Sequence, residues 1–316
     1  MSPSRLNMLY SIIIPHHDTP ALLMRCLDSI PVREDVQVIV VDDYSPGAEH
    51  YLVQYPQLHR PYLEFYSTTE GGSAGRARNV GLQHARGRWL LFADADDFFV
   101  DDLDELLDAY KDDDAELIYF RTRSVCSDDV NRPARRSEWL DDLWLDYEHG
   151  LDPQSLYGRC PVVWGKMFRR ELIERHTIRF DETRYSNDFW FSANAALHAR
   201  SFRVVTDVLY VATLRPGSLA HDMNGKPGEL AVRAEVCFRV ERLLLEHGIY
   251  THPYEPIIPY LRLLFDQEQH TLYYHYLRQL RQLGFPTLRA LRQMCHHATR
   301  GYKVRVYLLS YLHLYF

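Results

Sequence analysis

No window of this chain strings together the roughly 18 apolar residues that a helix needs to cross a bilayer, which excludes an integral membrane protein built on such helices. Cysteine is sparse as well. The five cysteines (Cys26, Cys126, Cys160, Cys237 and Cys295) are odd in number, widely spread and never paired as C-x-x-C. That pattern argues against a disulfide framework or a zinc knuckle and suits the reducing cytoplasm. An excess of positive charge is also missing. With 36 Lys and Arg against 43 Asp and Glu, the net charge of -7 gives no general attraction to nucleic acid, so an anionic ligand must be held by local arrangement or through a metal. Neither G-x-G-x-x-G nor G-x-x-x-x-G-K occurs, and there is no internal repeat. The first apolar run, in MSPSRLNMLYSIIIP, is too short for the core of a leader peptide and ends in proline, so it reads as a strand.

What remains is an ordinary globular composition, 46% apolar and 25% charged, with room for one large core or two modest ones. Over the first 120 residues, short β-branched runs at 10–14, 36–41, 63–66, 89–93 and 117–120 read as strands. Between them, 19–30, 73–85 and 103–110 read as helices, the first opening on Pro20 behind a Thr19 cap. Repeated strand–helix–strand units with apolar strands imply a parallel sheet covered on both faces, with ligands beyond the carboxyl ends of its strands. From 124 to 156 the sequence turns polar, with Arg132, Arg135 and Arg136 among Asp and Trp residues and no clear period; it reads as an excursion that contacts a second substrate. Strand-then-helix character returns in VVWGKMFRRELIERHTIRFDE, ahead of a helix at 187–199. Beyond a Gly-, Pro- and Asn-rich boundary at 216–228 the pattern is helical, at 230–246, 254–283 and 287–299. The last stretch, YKVRVYLLSYLHLYF from Tyr302, suits either a packed terminus or a segment lying on a membrane surface.

Strand one ends at Pro15-His16-His17-Asp18 and strand two at Asp42-Asp43-Tyr44-Ser45-Pro46-Gly47. If the two strands are parallel, both ends meet one crevice, where a carboxylate accepts from a base N–H and an imidazole stacks on the base. Tight-turn chemistry accounts for the same residues. FADADDFF brings Asp94, Asp96 and Asp97 within a few ångströms. Like charges about 4 Å apart cost on the order of 4 kcal/mol per pair at an effective dielectric near 20, so the cluster needs a cation or raised pKa values. Oxygen ligands favour Mg²⁺ or Mn²⁺, which would bridge a nucleotide diphosphate. The acidic run is alternatively a cap for the helix near Asp101, while Phe98 and Phe99 exclude an EF-hand calcium loop. GGSAGRARNVG precedes a helix, and its Arg76 and Arg78 either reach phosphates or stand exposed on that helix.

Taken in order, SIIIPHHD, VVDDYSPG, GRARNVGLQHARGRWLLFADADDFF and VVWGKMFRREL resemble the inverting family 2 glycosyltransferases of bacterial surface-polysaccharide type, over roughly residues 9 to 221. The resemblance implies an α/β GT-A fold, with a Rossmann-like, mostly parallel sheet flanked by helices. It implies a catalytic domain at 1–220 and a helical C-terminal appendage at 221–316 that contacts acceptor or membrane. Pro15, His17, Asp43, Arg78, Asp94 and Asp96 would then line the donor site, with Asp43 at the base, Asp94 on the ribose side and Asp96 on the metal. His221 would add a donor-side or metal contact. Where the family carries Glu-Asp before a helix, this chain has Asn187-Asp188, making Asp188 the catalytic base. His17-Asp18 stands where the family has Tyr-Asn. The implied reaction moves a sugar from a nucleotide sugar, a UDP-sugar first among them, to a glycan or lipid-linked acceptor. A sugar nucleotidyltransferase and a non-catalytic nucleotide-binding scaffold are the alternatives; the former wants a Gly-rich, basic loop after strand one, where Pro15-His16-His17-Asp18 stands.

Overall fold

The computed structural model describes residues 8–150, 156–215, 227–249 and 256–287. It divides into two compact units: Met1–Leu151 with Cys160–His221, and Asp152–Arg159 with Asp222–Phe316. His221, the boundary at 216–226 and the C-terminal segment from 288 onward fall outside the described residues.

In the first unit the chain runs β1 (Tyr10–His16), α1 (Pro20–Asp28), β2 (Val36–Asp42), α2 (Tyr51–Gln54), β3 (Leu63–Ser67), α3 (Ala74–His84), β4 (Trp89–Phe92) and β5 (Phe98–Phe99). It continues through α4 (Leu103–Tyr110), β6 (Leu117–Cys126), β7 (Asp129–Pro133) and α5 (Glu138–Glu148). The sequence of the second unit then supplies α6 (Leu156–Arg159), after which β8 (Lys166–Arg169), α7 (Arg170–Arg175), α8 (Phe189–His198) and β9 (Phe202–Leu214) complete the first. The sheet order is β3-β2-β1-β4-β8-β6-β9-β5, with β7 paired to β6.

Both β1 and β2 are buried at every position, as expected of strands covered on both faces. On one of those faces Ile13 lies so close under α3 that a Cβ on Gly81 would stand 2.5 Å from it. Beyond β4 the sheet is more mixed than the mostly parallel one expected. Strands β3, β2, β1 and β4 are parallel, but β8 is antiparallel to both β4 and β6, and β5 is antiparallel to β9. The polar excursion is more ordered than its composition suggests: the 117–120 strand extends to Cys126, β7 returns along it, and α5 buries Leu140, Leu143 and Trp144. Strand β9 went unforeseen because its first half is partly exposed and its second half fully buried, so no single period runs through it. At α1 the expected threonine cap is not made by the side chain; only the Thr19 carbonyl serves, accepting from Leu22 and Leu23.

One aromatic cluster positions the site. Phe92 ends β4, and its ring meets Phe168, Phe180 and Phe191 at centroid distances of 5.8, 5.1 and 5.4 Å, while Phe180 and Phe191 stack at 4.0 Å. These rings join β4, β8, the loop before α8, and α8 itself, and such pairs are worth about 0.5–1.5 kcal/mol each beyond their buried area. The segments that carry Asp94 and Asp188 are thus tied at their roots.

In the second unit, the helix expected over 254–283 breaks into α10 (Ile258–Asp266) and α11 (His270–Gln282), with Glu268 left-handed at φ 58° between them. Helix α11 packs on α9 (Pro227–Glu246) through Tyr276, whose hydroxyl donates to Glu235 at 2.8 Å and whose ring lies 5.0 Å from that of Phe238. Among the described residues no helix is long and apolar enough to cross a membrane.

Candidate active site

The carboxyl ends of β1 and β2 lie side by side, with His16 in register with Asp42. Alternation along the strands then sorts the neighbouring residues into two roles. His16 and Asp42 point inward, fully buried at the side chain and joined at 2.8 Å. His16 Nε2 accepts from the Thr19 amide at 3.1 Å, so the ring hydrogen sits on Nδ1 and is donated to Asp42. Asp42 also accepts from the amide and hydroxyl of Ser45. Burial works against its charge, but the His16 and Ser45 bonds win and hold the carboxyl below its ordinary value. This pair is the frame of the turn.

His17 and Asp43 face the other way. Asp43 is oriented by the Gly72 amide, 3.2 Å from each carboxylate oxygen, and by the Thr68 hydroxyl at 3.3 Å. The exposed His17 ring is anchored to the Asp43 carbonyl at 2.9 Å. Tyr44, 61% exposed and left-handed at φ 60°, stands beside them against Gly71. Pro15, expected in the donor site, is buried within β1.

After β4 the chain turns through Asp94, Asp96 and Asp97, whose carboxylate oxygens lie within 4.8 Å of one another; among the described residues they are the one such acidic or histidine group. The three are not equivalent. Asp97 is fully buried and accepts from the Thr213 amide at 2.6 Å, the Tyr210 hydroxyl at 2.9 Å and Arg136 at 2.8 Å. Asp94 accepts from Arg78 at 2.6 Å on one oxygen and from Arg136 at 3.3 Å on the other. Among the described residues the Asp96 carboxylate has one ion-pair partner, Arg215 at 3.9 Å, while its carbonyl is held by Arg25 and the Thr213 hydroxyl. Burial, then the charge on Asp94, raise the Asp96 carboxyl; Arg136 and Arg215 oppose them. Burial likewise raises Asp97 against Arg136. The like-charge cost foreseen for this cluster is therefore met first by arginines. The helix-cap alternative fails, since the side chain of Asp102 at the cap of α4 makes no capping bond. A divalent cation fits at Asp96, a hard oxygen ligand in the acidic cluster whose side chain is 19% exposed.

Of the two alternatives for Arg78, exposure on the helix fails. The residue is 4% exposed, donates to Asp94 and, at 2.7 Å, to Asn187 Oδ1, and lies over the Phe180 ring at 5.3 Å. Arg76, by contrast, pairs with Glu70 on the surface. The hydrogen-bonded chain Asp94–Arg78–Asn187 leads to Asp188, at the first turn of α8. The Asp188 side chain caps no amide of its own helix, so its carboxylate is left for other work. Burial raises its carboxyl above the ordinary range, the charge on Asp94 adds to that, and Arg78 and Lys166 oppose it. Lys166 is itself buried, donating to the Cys160 carbonyl at 2.7 Å.

The contact between α3 and the loop before α8 depends on Gly75. A Cβ there would stand 1.9 Å from the Asp181 carbonyl oxygen and 2.9 Å from Asn187 Cβ. Gly75→Ala is therefore expected to cost about 1–3 kcal/mol and to displace the Asp188 loop. A thermal melt and a turnover assay check this: both Tm and rate should fall.

Arg136, Arg215, Tyr210 and Lys166 were not singled out from the sequence as site residues. Arg136 stood within a run of polar residues, and its contacts lie 39 to 77 positions away along the chain, so no local signal marks it.

Residues 11–177, more than half of the chain, match the family model described as glycosyl transferase family 2. The chain is 25% identical to the uncharacterized glycosyltransferase EpsJ of Bacillus subtilis, over 67% of this chain and 62% of that protein. It is also 25% identical to the poly(ribitol-phosphate) beta-N-acetylglucosaminyltransferase TarS of Staphylococcus aureus, over 66% of this chain and 36% of TarS. The chain thus spans less than two thirds of the length of either relative. The solved structure of TarS 1–349 in complex with UDP-GlcNAc shares the fold with a TM-score of 0.67 at 18% identity, covering 97% of this chain and 89% of that one. The expected α/β fold of GT-A type holds.

Proposed function

The chain belongs to glycosyl transferase family 2, and from that premise we propose that it transfers a sugar, with inversion, from a nucleotide sugar to a glycan or lipid-linked acceptor in surface-polysaccharide or glycolipid assembly. The observation that supports this reading is a set of three carboxylates in unlike settings: Asp43, oriented by the Gly72 amide; Asp96, in the acidic loop; and Asp188, raised by burial and next to Asn187, which Arg78 ties to Asp94 of that loop. A nucleoside diphosphate sugar has complementary parts, namely a base with N–H donors, a diphosphate and an anomeric carbon.

In this reading His17 stacks on the base and Asp43 accepts from it. Arg78 holds Asp94 toward the ribose side. Asp96 would hold Mn²⁺ or Mg²⁺, whose charge neutralises the diphosphate when bound. Asp188 removes the proton of the acceptor hydroxyl as its oxygen bonds to the anomeric carbon. The bond from that carbon to the phosphate oxygen breaks on the opposite face, its electron pair leaving with the nucleoside diphosphate. Arg215, partly exposed beside Asp96, adds positive charge near the leaving oxygen.

The UDP-GlcNAc held in the similar TarS structure makes UDP-sugars the first donors to try. A panel of UDP-, GDP- and dTDP-sugars assayed for nucleoside diphosphate release, with Mn²⁺ present, tests the proposal. We expect release from at least one UDP-sugar, accelerated by an acceptor glycan. Nucleotide binding with no release from any donor and acceptor pair would leave a binding scaffold instead.

A further inference from the structure

We propose that Arg136 is the internal counter-ion of the acidic loop: a positioning residue that pins Asp94 and Asp97 to β9 and leaves Asp96 as the one carboxylate open to a cation. The inference rests on the donor-site reading above and adds to it a residue from the segment between β7 and α5.

One guanidinium makes all the contacts. Its Nη1 donates to Asp97 Oδ1 and to the Thr213 carbonyl, each at 2.8 Å, and its Nη2 donates to Asp94 Oδ2 at 3.3 Å. The group lies 5.9 Å from the centre of the Trp164 ring, which itself stacks on Tyr210 at 5.4 Å. Tyr210 completes the clamp, accepting from the Asp94 amide and donating to Asp97, both at 2.9 Å. The side chain of Arg136 is 15% exposed and that of Asp97 fully buried, so the pair is shielded from screening by solvent ions. A planar fork can span two carboxylates and a carbonyl in fixed directions; a lysine ammonium, a compact point charge, cannot hold all three.

Two consequences follow from charge and geometry. Together with Arg78 and Arg215, Arg136 brings three carboxylates close to neutrality, so the loop keeps its shape before any ligand arrives. Arg136 also repels an incoming cation while occupying one oxygen on each of two of the three carboxylates, the other oxygen of Asp94 being held by Arg78 and that of Asp97 by Tyr210. It therefore lowers cation affinity in exchange for a fixed placement of Asp96. Its loss should tighten cation binding and slow turnover, whereas damage that merely loosened the loop would weaken both.

The experiment compares wild type with Arg136→Gln and Arg136→Lys, reading Mn²⁺ binding in the presence of UDP from the paramagnetic resonance signal of the unbound ion, alongside donor turnover at saturating Mn²⁺. We expect Arg136→Gln to bind Mn²⁺ about fivefold more tightly, one positive charge having been removed, and to turn over at least about tenfold more slowly, since the loop is misplaced. Arg136→Lys should bind Mn²⁺ as wild type does and turn over at an intermediate rate. Weaker Mn²⁺ binding in Arg136→Gln, or wild-type turnover in that variant, overturns the proposal. If Arg136→Gln does not fold, the double variant Asp97→Asn/Arg136→Gln removes both members of the buried pair. A tenfold loss of turnover at a near-native Tm then supports the clamp, and native turnover sinks it. A wild-type protein that binds no nucleotide and releases none from any donor defeats the donor-site reading itself, a result distinct from any of these.

Discussion

Asp188→Asn should lower sugar transfer by about a hundredfold to ten-thousandfold while leaving nucleotide affinity and Tm within error of wild type, because a positioned general base contributes that much and the change is isosteric. The structure supports the separation of effects. Asp188 directly precedes α8 and caps none of its amides, so removing its charge breaks no helix-capping bond. Asn187, next to it, is the residue tied to Arg78, and the variant leaves that tie intact. The pH profile gives a second readout. A base works only when ionised, and burial raises this carboxyl above the ordinary aspartate value of about 3.9. The rate should therefore fall as pH drops through the raised value, at a higher pH than a solvated aspartate would give. In Asp188→Asn the residual rate should lose that step. Measuring kcat against pH for both proteins checks the sign; a wild-type profile with no acidic limb above the ordinary carboxylate range would remove Asp188 from the role of base.

The second large effect separates two residues adjacent in sequence. Asp96→Ala is expected to cost about a hundredfold to a thousandfold in turnover, the scale seen when one electrostatic stabiliser of a developing charge is removed, and to abolish the response to Mn²⁺. Its Tm should hardly change, since among the described residues the Asp96 carboxylate has one ion-pair partner to lose, Arg215 at 3.9 Å. Asp97→Ala should behave in the opposite order. It strands the buried Arg136 guanidinium, the Thr213 amide and the Tyr210 hydroxyl, and breaking one side of a buried pair costs about 3–5 kcal/mol. Thermal melts and Mn²⁺ titrations of the two variants distinguish these outcomes; a Tm loss in Asp96→Ala equal to that in Asp97→Ala would contradict the division of labour.

Much of this was legible in the chain before any fold was seen, and the reasons are physical. β1 and β2 are buried on both faces, and their runs of Ile and Val announced it. The acidic residues are neighbours in sequence, so their crowding in space followed from chain connectivity alone. Long-range pairing was the part that sequence periodicity does not encode. That Arg78 is buried against Asn187 is not legible in the sequence, because the two lie 109 positions apart. The antiparallel insertion of β8 between β4 and β6 has no local signal either, since strand direction is set by which edges the surrounding loops can reach. β9 was hidden by its change of environment along one strand, and the break at Glu268 by an unbroken apolar period on both sides of it.

The most direct test is anomalous diffraction, at the manganese edge, from crystals of the protein holding UDP and Mn²⁺. The account predicts a single metal peak bound by one oxygen of Asp96 and by oxygens of the diphosphate, with the base between His17 and Asp43 and with Arg136 still bonded to Asp94 and Asp97. A nucleotide bound elsewhere, or a peak ligated by Asp94 and Asp97 with Arg136 displaced, would contradict it.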